Sequence, residues 1–117
     1  MKKYLSEFLA TFILLFVGTG CVVVNQQTGG ALGLPGISAV WGLVIIALIY
    51  AFGDISGTHI NPAVTIAFAA DKRLEWKEVP FYLIFQLAGA LAASGLLKYL
   101  FPANLTLGIT QPSGTIT

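Results

Sequence analysis

The chain has 117 residues, of which 56% are hydrophobic and only 9% charged, and its formal net charge is +1. Since a soluble domain carries roughly 25% charged residues, this composition excludes a water-soluble globule and predicts a single membrane-embedded domain over residues 1–117. The near-neutral charge argues against nucleic-acid binding, and a lone cysteine, Cys21, excludes an internal disulfide and a multi-cysteine metal site.

Three apolar segments predict membrane-spanning helices, over about 4–24, 37–52 and 79–101. A span needs about 20 residues, so the second segment is short. The first follows two lysines, as the apolar part of a signal peptide does, but it is longer than such a part and further spans follow it. We therefore expect it to be retained. The uncharged residues 25–36, rich in Gly, Gln and Asn, are predicted to form an external loop.

A fourth element is predicted where Asn61-Pro62-Ala63 signals a helix start, because Asn is a strong N-cap and Pro suits the first turn. Its nine residues, 62–70, rise only about 13 Å against a hydrocarbon thickness of about 30 Å. The preceding residues have too few apolar side chains to face lipid. We therefore predict a re-entrant loop and half-helix over 53–70, entering and leaving on the same side of the membrane.

The basic residues are distributed unevenly about the predicted spans. Only Lys98 approaches one side, and the other five fall on the opposite side: Lys2, Lys3, Lys72, Arg73 and Lys77. The positive-inside rule then predicts a multi-pass protein with a cytoplasmic N-terminus and an extracytoplasmic C-terminus. We expect it in the cell membrane. The uncharged tail, 102–117, is expected to be an outer loop cut short.

Asn61 is the residue with the clearest chemistry. Its side-chain oxygen can cap its own helix, which leaves the NH₂ group as a donor aimed into a cavity. A water or hydroxyl there must accept from it, while the positive end of the half-helix repels cations. The alternative is that Asn61 is a cap and nothing more. Likewise, Gly57, Thr58, His59 and Ile60 either form the re-entrant loop or belong to a disordered cytoplasmic segment.

His59 could in principle bind a metal or carry a proton. It has no second His and no Cys nearby, so we expect no metal site. Bracing the loop through ring hydrogen bonds is the favoured role. The sequence shows no nucleophile–base pair and no phosphate-binding loop, so we predict neither an enzyme nor a bound cofactor.

Several motifs resemble the aquaporin and glycerol-facilitator family, also called the major intrinsic proteins, and most closely its nodulin-like intrinsic branch and bacterial relatives. The resemblance covers nearly the whole chain from Ser6. It is carried by Ser6-Glu7-Phe8, Trp41-Gly42-Leu43, the signature loop Ser56-Gly57-Thr58-His59-Ile60-Asn61-Pro62-Ala63-Val64-Thr65, Ala67-Phe68-Ala69, Trp76-Lys77-Glu78-Val79-Pro80 and Gln86-Leu87-Ala88-Gly89-Ala90.

The resemblance implies an all-α fold: three transmembrane helices and one re-entrant half-helix, forming one of two inverted repeats. A second Asn-Pro-Ala half-helix and the family's selectivity arginine are not in this sequence. The signature residues Asn61, Pro62 and Ala63 would face the pore, and the carbonyls of Gly57, Thr58, His59 and Ile60 would form a ladder of acceptors along it.

The resemblance also assigns roles to three residues on the spans. Trp41 would be one wall of the selectivity constriction; the alternative is an interfacial belt Trp. Glu7 would accept hydrogen bonds from the loop backbone, the alternative being an ion pair with Lys2 or Lys3 at the interface. Gln86 is expected to make a packing hydrogen bond, with a supporting role near the loop.

The function expected from the resemblance is half of a channel for passive diffusion of water and small uncharged solutes. Glycerol is the first candidate because of Trp41, and metalloid acids are also compatible. Expected partners are membrane lipid and a complementary second half or a full-length homologue, in a family-like tetramer. Three alternatives stay open: a truncated product without transport activity, a non-conducting partner of full-length channels, and a coupled carrier with Glu7 or His59 as its proton site.

Overall fold

The computed structural model describes residues 1–104 and 107–108, and all regular secondary structure within them is helical. Its α-helices are α1 Lys2–Gln27, α2 Gly33–Ser56, α3 Pro62–Ala70 and α4 Val79–Leu100, and a short 3₁₀ helix, Trp76–Glu78, leads directly into α4. Three helical segments, Lys2–Gln27, Gly33–Ser56 and Trp76–Leu100, are long and apolar enough to cross a membrane. The all-α fold with three spans and one short helix is confirmed. Of the predicted outer tail, residues 105–106 and 109–117 lie outside the described residues.

The second span is longer than the apolar pattern predicted, and the loops on either side of it are shorter. Helix α2 begins at Gly33 rather than 37, because the Asn25 side-chain oxygen accepts hydrogen bonds from the Leu32 and Gly33 amides, at 3.0 and 2.9 Å. It continues to Ser56, so residues 53–56, which we assigned to the re-entrant loop, form the last turn of α2. Hydropathy finds the lipid-facing part of a helix, whereas caps decide where the helix ends.

Helix α1 packs against both α2 and α4. Its contact with α4 is close: a Cβ added to Gly89 would lie 2.5 Å from the backbone oxygen of Phe8. On the α2 side, Ala10, Leu14 and Leu48 form the apolar core. Small residues at helix crossings let two backbones approach, which favours helix association in lipid where no hydrophobic effect operates between spans.

The beginnings of α1 and α4 lie at the same end of the molecule. The Lys3 ammonium pairs with the Glu78 carboxylate, and the Tyr4 hydroxyl donates to the same carboxylate at 3.4 Å. Helices α1 and α4 are therefore parallel, with α2 running between the two ends in the opposite direction. The basic connector at 72–77 precedes α4 and lies at this same end.

Helix α3 ends in a Schellman motif. The Arg73 amide donates to the Phe68 carbonyl at 2.9 Å, and the Lys72 amide donates to the Ala69 carbonyl at 3.1 Å. These bonds require Lys72 to adopt a left-handed conformation, with φ +63. Such a position usually carries glycine, since a side chain there is strained.

We expect Lys72→Gly to be more stable than Lys72→Ala by about 1 kcal/mol. Both variants remove the charge, but only glycine adopts φ +63 without strain. Thermal unfolding of the two purified variants in one detergent measures the difference. Equal midpoints would contradict the left-handed end of α3.

Candidate functional site

The carboxylate of Glu7 on α1 is completely buried and accepts hydrogen bonds from four side-chain or backbone donors. Its Oε2 accepts from the Ser56 hydroxyl at 2.6 Å and the His59 amide at 3.1 Å. Its Oε1 accepts from the Ile60 amide at 2.9 Å and the Gln86 side-chain NH₂ at 2.8 Å. We call these five residues the Glu7 cluster. A buried carboxylate is stable only when its oxygens are hydrogen-bonded in this way.

Lys3 is not a partner of Glu7, because its ammonium pairs with Glu78 instead. The interfacial ion pair considered from the sequence is therefore absent for Lys3 in the part of the chain that the structure describes. Glu7 serves as an acceptor for the backbone of the segment between α2 and α3, which it joins to α1 and α4.

Residues 57–60 form a short strained loop between α2 and α3. Gly57 has φ +86, and Thr58 and Ile60, although not glycines, have φ +50 and +46. A β-branched residue such as isoleucine rarely adopts this left-handed conformation. Such strain persists where surrounding contacts over-determine the backbone. Here the two hydrogen bonds that Glu7 accepts from His59 and Ile60 provide that restraint.

The amides of residues 57–60 all have hydrogen-bond partners within the protein. The Gly57 amide donates to the Gly53 carbonyl, the Thr58 amide to the Ser56 hydroxyl, and the amides of residues 59 and 60 to Glu7. None of the four carbonyls of residues 57–60 accepts a hydrogen bond from any described residue. These four backbone acceptors therefore depend on partners other than the described residues.

His59 is buried between two aromatic rings. Its ring centroid lies 4.6 Å from that of Phe68 and 4.8 Å from that of Tyr82, in stacked geometry. Its Nδ1 lies 3.0 Å from the Thr65 hydroxyl. The searched part of the chain contains no group of three His, Cys, Asp or Glu side chains that could hold a metal ion. These contacts hold the ring, and with it the loop, against α3 and α4.

Gln86 joins α4 to both α1 and α3. Its NH₂ group donates to Glu7 and, at 2.9 Å, to the Thr65 hydroxyl on α3. The sequence analysis named Ser56 and Thr65 only as the ends of the signature loop and gave them no role of their own. It did not name Tyr82, whose hydroxyl donates to the Ser56 carbonyl at 3.0 Å. These three residues could have been recognised from the sequence, because a hydroxyl group within an apolar membrane segment requires a hydrogen-bond partner.

Asn61 caps α3. Its backbone is extended, and its side-chain oxygen accepts a hydrogen bond from the Ala63 amide at 2.8 Å, with Pro62 in the first turn. Its NH₂ group donates to none of the described residues, and Asn61, Pro62 and Ala63 are all exposed. A free donor at the positive end of a helix thus directly follows, in the chain, the four residues whose carbonyls lack described partners.

Trp41 is not part of the Glu7 cluster. It lies fifteen residues before Ser56 on α2, which is about 22 Å along the helix axis at 1.5 Å per residue. Its half-buried indole packs against α1 and the apolar core that α1 forms with α2. The structure therefore places Trp41 towards the opposite end of the molecule from the buried carboxylate.

We expect Glu7→Gln to destabilise the protein by about 2–5 kcal/mol. The glutamine side chain has one acceptor oxygen where the carboxylate has two. Its NH₂ group must therefore face two donors that now bind to one of the carboxylate oxygens, either Oε1 or Oε2. Chemical unfolding in detergent measures the change. Glu75→Gln is the control, because Glu75 forms an exposed ion pair with Lys77. Equal stability of the two variants would contradict the role of Glu7.

Comparison with known proteins places this geometry in a family. The family model described as Major intrinsic protein matches residues 1–116. The chain is 53% identical over 97 residues to Aquaporin NIP1-2 of Oryza sativa subsp. japonica, covering 83% of the chain and 32% of that relative. It is 52% identical over 101 residues to Aquaporin NIP1-1 of Arabidopsis thaliana, covering 86% of the chain and 34% of the relative. It is 44% identical over 116 residues to Nodulin-26 of Glycine max, covering 98% and 43%. The chain thus spans well under half the length of these relatives.

Proposed function

The chain belongs to the major intrinsic protein family, and on that premise we propose that it forms half of a channel for passive diffusion of water and small uncharged solutes. Aquaporins of this family are channels and not enzymes. With three apolar helices of spanning length, the chain is an integral multi-pass membrane protein. The half-channel consists of the three spans together with the re-entrant loop and half-helix that end at Ala70.

The observation that carries the proposal is the polarity of the segment from Gly57 to Asn61. Four unpaired carbonyls and one free amide NH₂ group lie together in a chain whose surroundings are lipid. Within a bilayer, unpaired backbone groups are tolerated only where water or protein meets them. A water molecule can donate to the carbonyls and accept from Asn61, and a hydroxylated solute such as glycerol can do the same.

The same arrangement opposes the passage of ions. Helix α3 directs its positive N-terminal end at the place where a solute meets Asn61, which repels cations. A water that accepts from the Asn61 NH₂ group must donate away from it, which interrupts proton hopping along a file of waters.

A second half is required in this proposal because α3 is too short to cross. Its nine residues end at an exposed N-terminus, which a second half-helix would meet. The relatives, of which this chain covers 32–43%, have the additional length for it. A complementary half or a full-length homologue is the partner, in a family-like tetramer. The uneven basic residues argue against an inverted copy of this chain.

The proposed orientation places the Lys3–Glu78 end in the cytoplasm, with the protein in the cell membrane. That end carries Lys2, Lys3 and the basic connector at 72–77, as the positive-inside rule requires of a cytoplasmic face. Trp41 then lies in the outer half, where its indole would line the constriction and favour solutes with a carbon backbone. Glycerol is the first candidate solute, and metalloid acids share its small neutral hydroxylated character.

A coupled carrier is not favoured by the site. Its proton would have to be held by Glu7 or His59, but the oxygens of Glu7 already accept four hydrogen bonds and the His59 ring is stacked between two others. A proton site needs a side chain that solvent can reach and that can change its hydrogen bonds when it binds or releases a proton. Glu7 and His59 are both buried and held by contacts within the protein.

The direct test is solute flux into proteoliposomes, followed by stopped-flow light scattering. We expect the chain together with the C-terminal half of a nodulin-26-like relative to conduct water and glycerol, independently of a pH gradient. We expect the chain alone to give no water or glycerol flux above that of protein-free liposomes. Flux that requires a proton gradient would support a carrier. No flux with the second half, combined with co-purification with a full-length channel, would support a non-conducting partner instead.

In the assembled channel, Asn61→Asp is expected to raise cation conductance by on the order of tenfold or more, since lowering the barrier by about 1.4 kcal/mol suffices. The carboxylate keeps the capping oxygen but replaces the NH₂ donor with negative charge. Asn25→Asp is the matched control, because the Asn25 oxygen also accepts backbone amides but lies in the turn between α1 and α2. Equal cation conductance in the two variants, measured in planar bilayers, would contradict the role of Asn61.

A further inference from the structure

Gly18 on α1 lies directly beneath the six-membered ring of Trp41. A Cβ built on Gly18 would lie 2.5 Å from Cη2, 2.6 Å from Cζ2 and 2.7 Å from Cε2 of the indole. All three distances are well below the contact distance of two carbon atoms, which is about 3.5–4.0 Å. The ring therefore lies flat against the helix backbone, in space that only glycine leaves open.

We propose that Gly18 is a positioning residue for Trp41 and thereby sets the width of the solute constriction. The inference rests on the proposed function, in which the Trp41 ring lines the passage. Gly18 itself need not touch a solute. It acts by letting the indole retreat against α1, so that the opposite face of the ring stands farther from the passage.

The ring is the part that must move if Gly18 acquires a side chain. Helix α1 is held on both sides, by α2 across the core of Ala10, Leu14 and Leu48 and by α4 across the close contact at Gly89. Because a close-packed interior has little free space, α1 cannot shift to relieve the overlap between the new Cβ and the indole. The indole is only half-buried, so it yields by roughly 1 Å away from α1 to restore ordinary carbon contact.

Neighbouring glycines do not share this constraint. A Cβ on Gly20, two residues along the same helix, would meet only a Leu97 methyl group, at 3.4 Å. A Cβ on Gly42, next to Trp41 in the chain, would meet nothing within 4 Å. The requirement for glycine is therefore specific to the position under the indole, and Gly20→Ala supplies a control that adds the same methyl group to the same helix.

The first measurement follows the ring itself, in the chain reconstituted alone. Because the chain has two tryptophans, Trp76→Phe leaves Trp41 as the single fluorophore. In that background we expect Gly18→Ala to shift the emission maximum and increase iodide quenching, because the ring leaves its place against α1. Gly20→Ala should leave both unchanged. The same spectrum from the two variants would overturn the proposal.

The second measurement follows selectivity, in proteoliposomes that also contain the complementary half. We expect Gly18→Ala to lower the ratio of glycerol to water permeability on the order of tenfold, the discrimination that one methylene gives in a tight site. In a Trp41→Ala background the same substitution should leave the ratio unchanged. General damage to folding lowers both permeabilities and persists without Trp41, so the cycle separates the two causes.

The outcomes distinguish this inference from the proposed function. A shifted spectrum with an unchanged permeability ratio would overturn the role of Gly18 in selectivity. A lowered ratio that persists in the Trp41→Ala background would overturn it also. If the spectrum shifts but no variant or parent conducts, the channel proposal fails, while the placement of the Trp41 ring by Gly18 stands.

Discussion

A single buried carboxylate holds together the part of the molecule on which function depends. Glu7 receives four hydrogen bonds, from α2, α4 and two amides of the loop. Those two amides belong to residues beside or within left-handed conformations that a free chain would rarely adopt. Without the buried carboxylate of Glu7, the amides of His59 and Ile60 would lose their acceptor and would need other partners.

The consequence is a difference between the donors and the acceptors of the loop. The amides are satisfied within the protein, whereas the carbonyls of residues 57–60 and the Asn61 NH₂ group have no partner among the described residues. In lipid such groups need water, a polar solute or further protein as partners. The stacking of His59 between Phe68 and Tyr82 adds rigidity to the loop. In the proposed channel, a solute would exchange its water partners for polar groups that this rigid loop holds in place.

The sequence was sufficient to predict the three spans and the short helix, but not the contacts between them. Composition predicted the spans, and Asn61-Pro62 predicted the start of α3 at the residue where it begins. The ends of α2 were missed, because Asn25 caps it from across the turn and Gly57 ends it in a left-handed conformation. The contact of Gly18 with Trp41 joins residues 23 positions apart, and no local pattern reports it.

In the proposed channel, Asn61 and the start of α3 lie deep in the bilayer and still meet water. A spin label at Ala63, in a Cys21→Ser background, tests this by electron paramagnetic resonance in liposomes with the second half present. We expect a depth near the bilayer midplane together with access to a water-soluble relaxation agent. A label at headgroup depth, or a deep label reached only by oxygen, would contradict the account.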